Sequence, residues 1–168
     1  MKPLYLEFQA FLSYKDKVEI DFSKLDGSLF LISGNTGSGK TTIFDAMCYA
    51  LYGQCTSEDR NKQLKSDFAD LSELSYVKFT FEQNGKIYTI TRQPAQDLLS
   101  KKKSKGEYKV TQKAEEVVLE IPDENPITGT IATKKAIIDV IKFNVDQFRK
   151  TMMIAQGKFT ELIRTKSA

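Results

Sequence analysis

Apolar and polar positions change rhythm several times along the chain, and the changes mark its elements. Residues 4–12, LYLEFQAFL, and 17–22, KVEIDF, read as two strands. A short apolar run over 28–33, SLFLIS, reads as a buried strand ahead of a glycine-rich loop. Residues 43–52, IFDAMCYALY, then read as a helix, with Gly53 as its stop. The clearest hairpin spans 75–92, with Val77, Phe79 and Phe81 on one face and Asn84-Gly85 as a favoured two-residue turn. Folding about that turn sets Phe81 opposite Tyr88 and Phe79 opposite Ile90, so turn chemistry and apolar register agree. Pro94 ends the hairpin, 97–106 reads as a lysine-rich loop, and 107–112 and 116–121 read as two further antiparallel strands closed by Pro122 and Pro126.

Beyond 130 the period lengthens. Ile131, Lys134/Lys135, Ile138 and Ile141 carry helical spacing over 130–142, and 144–150 reads as a short helix with Val145 and Phe148 inward. Residues 152–159, MMIAQGKF, read as a short strand, and a further helix is expected from Phe159. The pattern implies an α/β fold: a strand–loop–helix core with an antiparallel β section over about 74–121. The glycine loop follows the third strand, whereas a minimal nucleotide kinase usually begins with that strand.

The loop itself carries the chemistry. Gly34-Asn35-Thr36-Gly37-Ser38-Gly39-Lys40-Thr41 fits G-x-x-x-x-G-K-[ST], and strand and helix flank it as that motif requires. Three glycines let the backbone curl so that successive N–H groups face phosphate oxygens. The helix beginning near Lys40 adds unpaired N–H groups and the positive end of its dipole. Lys40 is placed to reach the β- and γ-phosphates, and Thr41 to offer a hydroxyl to Mg²⁺. The bland alternative is a glycine turn that matches by chance; the flanking elements argue against it. A nucleoside triphosphate with Mg²⁺ is the expected ligand.

Composition removes several classes of function. At 168 residues, with 40% hydrophobic and 28% charged residues, the chain suits one domain with a real core. It contains no histidine, which excludes His-based triads, proton shuttles and zinc–histidine sites. Cys48 and Cys55 lack other soft ligands and are expected as reduced packing residues. No apolar run is long enough to span a bilayer and no signal-peptide core is present, so a cytoplasmic protein without membrane contact is expected. The net charge is only +3, yet it is segregated. Residues 98–113 hold six lysines against Glu107, and residues 114–125 hold five acids and no base.

A self-contained phosphate-loop enzyme also needs an acid at the end of an apolar strand, beside the metal. Asp21 falls in the expected edge hairpin, Asp139 in a helical pattern, and Glu120 in an antiparallel run after the lysine segment. None has the required context, so the sequence reads as half of a nucleotide-hydrolysing machine.

Three stretches together carry a family resemblance: MKPLYLEFQAFLSYKDKVEIDF, LFLISGNTGSGKTTIFDAMCYALYG and VDQFRKTMMIAQGKF. They resemble the N-terminal head lobe of SbcC-type DNA-repair ATPases, SMC-like members of the ABC ATPase superfamily, across the whole chain. The resemblance implies residues 1–168 as one N-terminal lobe, with 159–168 opening a coiled-coil helix, and so an excised fragment. It implies that residues Gly34, Asn35, Thr36, Gly37, Ser38, Gly39, Lys40, Thr41 and Thr42 wrap the phosphates. It also implies that Lys40 and Gln156 serve catalysis, that Thr41 and Gln156 hold Mg²⁺, and that Ser13 lies near the base. Relatives often carry a basic residue before that serine, where this chain has Leu12. The implied partners are a C-terminal lobe carrying the signature motif and the acid, a second head that dimerises with ATP, an SbcD-type nuclease, and double-stranded DNA ends and hairpins. Lys101, Lys102, Lys103, Lys105 and Arg60 are the candidate DNA contacts; a solvated hairpin tip is the alternative for the lysines. Two other readings stay open. One is a self-contained NTPase or kinase using Glu120 or Asp139. The other is a DNA-binding module with a vestigial phosphate loop.

Overall fold

The computed structural model describes residues 1–25, 31–104 and 107–151. Among the described residues, eight strands run in chain order: β1 (Lys2–Gln9), β2 (Val18–Asp21), β3 (Tyr76–Gln83), β4 (Lys86–Gln93), β5 (Gln96–Ser104), β6 (Glu107–Lys113), β7 (Glu116–Glu120) and β8 (Ile127–Thr128). The same residues hold three α-helices: α1 (Lys40–Tyr52), α2 (Thr130–Ile141) and α3 (Val145–Thr151). Six strands form one sheet in the order β2-β1-β3-β4-β7-β8, every neighbouring pair antiparallel. β5 and β6 form a separate two-stranded ribbon.

The β3–β4 hairpin has the expected register, Phe81 opposite Tyr88 and Phe79 opposite Ile90. Asn84 and Gly85 adopt φ of 53° and 76°, the left-handed pair that this turn demands. Phe79, Phe81 and Tyr88 stack in sequence with centroids 5.7 and 5.4 Å apart, and with Leu6, Phe8, Ile90 and Leu119 they form the sheet's buried face.

Against that face lies α1, packed on β3 and β4 with α2 and α3 beside it. Nine of its residues, from Thr42 to Tyr52, are buried, so the helix is wrapped nearly all round. Its far end is held by Arg92, a residue the apolar pattern did not single out. Arg92 occupies an inward position on β4 and is buried; its Nε donates to the Ala50 carbonyl at 3.1 Å and its Nη1 to Glu115 at 2.9 Å. A cation there complements the negative end of the helix dipole. Gly53 ends α1 at φ 71°, where a Cβ would meet Arg92 Nη1 at 3.0 Å.

Several expectations need correcting. Of the lysine segment expected as a loop over 97–106, residues 97–104 are strand and 105–106 lie outside the described residues: β5 pairs with β6, Leu99 opposite Val110 and Lys103 opposite Tyr108. Lysines oppose a strand reading only in a buried sheet; on a solvated ribbon they are compatible with pairing and discourage further edges. The first strand stops at Gln9, because Ala10 and Leu12 turn the chain at φ 49°. The buried stripe of α2 is Thr133, Ile137 and Ile141, an i, i+4 row, and Ile131 stands 86% exposed. Of the strand expected over 28–33, residues 28–30 lie outside the described residues and 31–33 are in no strand. The strand over 152–159 and the helix from Phe159 also lie outside them. Cys48 and Cys55 are buried free thiols, as expected.

Candidate functional site

The glycine loop stands at the amino end of α1, and its backbone explains its glycines. Gly37 and Gly39 sit at φ 85° and 82°, in the left-handed region where a side chain is costly. Gly39 is also the residue from which α1 starts. A Cβ on Gly34 would lie 3.0 Å from Ser38 Oγ and 3.8 Å from the Lys40 side chain, so it would fill the hollow of the loop. Lys40 folds back over that hollow and donates to the carbonyls of Gly34 and Asn35, both at 2.7 Å. The loop thus offers a concave backbone, the first N–H groups of a helix and an ammonium at one place, which suits a polyphosphate.

The hydroxyls behind the loop are divided. Thr41 is exposed, while Thr42 is buried with its Oγ1 2.9 Å from Ser13 Oγ. Ser13, at the tip of the β1–β2 connection, thus sits against the first turn of α1. Its neighbour Tyr14, which the sequence reading passed over, donates its hydroxyl to the Ser38 carbonyl at 3.2 Å. The FLSY stretch was the one available signal for it.

Asp45, four residues after Thr41, was also missed. It is fully buried on α1 and accepts from Thr56 N at 2.8 Å, from Thr56 Oγ1 at 2.5 Å and from Arg60 Nη1 at 2.5 Å. Arg60 is thus engaged as the counter-ion of a buried carboxylate. Arg149 of α3 donates to the Cys55 carbonyl, and Cys55 N donates to Asn61 Oδ1 at 2.7 Å, which closes the 54–63 loop onto α1 and α3.

The other candidates lie apart from this cluster. Glu120 ends β7 and Asp139 lies on α2, both exposed. Asp21 ends the edge strand β2 and caps Ser23 N at 3.0 Å. Lys101, Lys102 and Lys103 fall on β5, whereas Lys105 and Gln156 lie outside the described residues. Among the described residues, no group of three or more Cys, Asp or Glu side chains is arranged to hold a metal. No helix among them is long and apolar enough to cross a membrane.

A glycine loop of this form, opening a buried helix beneath an antiparallel sheet, places the chain in the class of phosphate-loop α/β domains. The chain belongs to the AAA domain family, whose model matches residues 5–167. It is 44% identical over 174 residues to the SbcC subunit of nuclease SbcCD from Vibrio cholerae serotype O1, covering 99% of this chain and 17% of that protein. It is 41% identical over 170 residues to the SbcC subunit of the same nuclease from Staphylococcus aureus strain MRSA252, covering 99% of this chain and 16% of that protein. The SbcC-type resemblance therefore holds along the whole chain, which spans about one sixth of the length of these relatives. The fold is similar to a solved structure from work on ATP-driven dimerization and DNA-stimulated activation of SMC ATPases. That match has a TM-score of 0.58 at 20% identity and covers 98% of this chain and 92% of the other.

Proposed function

We propose that the chain is the Mg-ATP-binding half of a split ATPase head. With a C-terminal lobe, a second head and an SbcD-type nuclease, it would couple ATP hydrolysis to the processing of double-stranded DNA ends and hairpins in the cytoplasm. The observation that carries the reading is the loop at α1: glycines at positive φ, a hollow that a Cβ would fill, and Lys40 held over it. In that arrangement the backbone N–H groups of Gly37, Gly39, Lys40 and Thr41 bind phosphate oxygens, while those of Ser38 and Thr42 are bonded to the Asn35 and Gly39 carbonyls, and Lys40 exchanges its two carbonyl partners for phosphate oxygens. Thr41, exposed at the start of α1, is the hydroxyl for magnesium, with Gln156 completing the shell. Magnesium, when bound, supplies charge neutralisation across the β- and γ-phosphates. The hydroxyl pairing of exposed Ser13 with buried Thr42 ties the β1–β2 connection to the first turn of α1.

The DNA side of the proposal rests on the ribbon. β5 and β6 stand outside the main sheet and carry Lys101, Lys102, Lys103, Lys109 and Lys113, with Lys105 between them in sequence. A ribbon of this charge suits phosphate contacts without sequence preference.

The test is equilibrium binding of a fluorescent ATP analogue to the chain, with and without Mg²⁺, beside Lys40→Ala, with turnover followed in the same samples. Mg-dependent binding that the variant loses, with turnover appearing only when a C-terminal lobe is added, is the expected result. Steady turnover by the chain alone would overturn the split-head reading.

A further inference from the structure

The β1–β2 connection touches the phosphate loop more closely than phosphate binding alone requires. Tyr14 donates to the Ser38 carbonyl at 3.2 Å, and its ring lies so near Gly39 that a Cβ there would sit 2.6 Å from it. The ring is fixed from behind by an edge-on contact with the buried Phe8, centroids 5.2 Å apart. The turn that delivers it holds two non-glycine residues, Ala10 and Leu12, at φ 49°. Such backbone persists where its surroundings over-determine it. Here the Ala10 carbonyl accepts from Ser66 N at 2.9 Å and Leu12 N donates to the Leu64 carbonyl at 2.8 Å.

We propose that Tyr14 is a positioning residue for the phosphate loop, setting the Ser38–Gly39 peptide before any ligand arrives. In a trans peptide the carbonyl and the following N–H point to opposite sides, and no cis bond occurs among the described residues. With the Ser38 carbonyl turned to Tyr14, the Gly39 N–H faces away from Tyr14, on the side where phosphate oxygens need a donor. A loop held this way spends less binding energy on ordering itself. It also gives Gly39 a second reason to be glycine, since the Tyr14 ring occupies the space of its missing side chain.

This inference rests on the phosphate-binding reading above, and the test separates the two. Tyr14→Phe keeps the ring and its packing and removes only the hydroxyl; Tyr14→Leu removes both. Affinity for a fluorescent Mg-ATP analogue and competition by inorganic tripolyphosphate are measured for wild type, both variants and Lys40→Ala, with thermal melting of each apo chain. Tyr14→Phe is expected to weaken both ligands by the same factor, roughly 2- to 12-fold, the span of one net hydrogen bond, at an unchanged melting temperature. Tyr14→Leu is expected to weaken both further. Wild-type affinity in Tyr14→Phe overturns the proposal. So does a loss seen with the ATP analogue but not with tripolyphosphate, which would put Tyr14 at the nucleoside end. If wild type and Lys40→Ala bind alike, the phosphate-binding reading has failed and the inference falls with it.

Discussion

Replacing Arg60 by alanine strands a carboxylate inside the protein. Asp45 is fully buried, and Arg60 supplies its countercharge at 2.5 Å. Removing one member of a buried pair costs ~3–5 kcal/mol, because the other charge is left uncompensated. Two features reduce that figure. The Arg60 side chain is 40% exposed, so water can partly replace it, and Asp45 keeps both hydrogen bonds from Thr56. Arg60→Ala should therefore destabilise the chain by about 2–3 kcal/mol, a fall in Tm of roughly 5–10 °C for a domain of this size. The decisive comparison is the double variant Asp45→Asn/Arg60→Ala. The asparagine oxygen can still accept from Thr56 but carries no charge, so the double variant should be more stable than Arg60→Ala by about 1 kcal/mol. The chain has no tryptophan, so urea unfolding is followed by far-UV circular dichroism. An Arg60→Ala chain as stable as wild type, or a double variant less stable than either single one, would refute the argument. The same variant tests Arg60 as a DNA contact: a lost phosphate contact lowers the salt slope of DNA binding by about one, whereas a purely internal counter-ion leaves it unchanged.

Three further outcomes are expected. Burial pushes the Cys48 thiol up to about 11 and the Cys55 thiol up to about 12, so native protein at pH 8 should resist iodoacetamide while urea-unfolded protein reacts at both residues, read by intact mass. At Glu7, burial pushes the carboxyl up, but hydrogen bonds from Tyr76, Lys17 and Tyr5 outweigh it and hold the group below its usual range. Its contribution is thus present above the unfolded value of about 4.3 and is lost as pH falls through the lower folded value; Glu7→Gln should flatten that acid limb in urea titrations. Phe79→Ala empties a fully buried site stacked on Phe81 and should cost about 3–5 kcal/mol, and a loss below 1 kcal/mol would mean that the sheet face repacks.

The sequence by itself determined whatever depends on neighbours along the chain. Asn84-Gly85 and the alternation on each side set the β3–β4 register, because a two-residue turn admits one pairing that keeps Phe79 and Phe81 inside. The glycine loop was legible for the same reason: its spacing is a local backbone requirement, with Gly37 and Gly39 at the positive φ that only glycine adopts freely. Only the tertiary structure decided the rest. Whether 97–104 is strand or loop depends on its pairing with Glu107–Lys113, which lysine content does not announce. The buried row of α2 depends on which side β7 and β8 cover, so Ile131 could share the helical spacing and still face solvent. Arg92, Asp45 and Tyr14 are polar residues whose roles come from partners 15 to 42 positions away, at Ala50, Arg60 and Ser38. A periodic pattern records which face is apolar; it does not record which distant carbonyl or carboxylate will meet a buried polar group once the layers close.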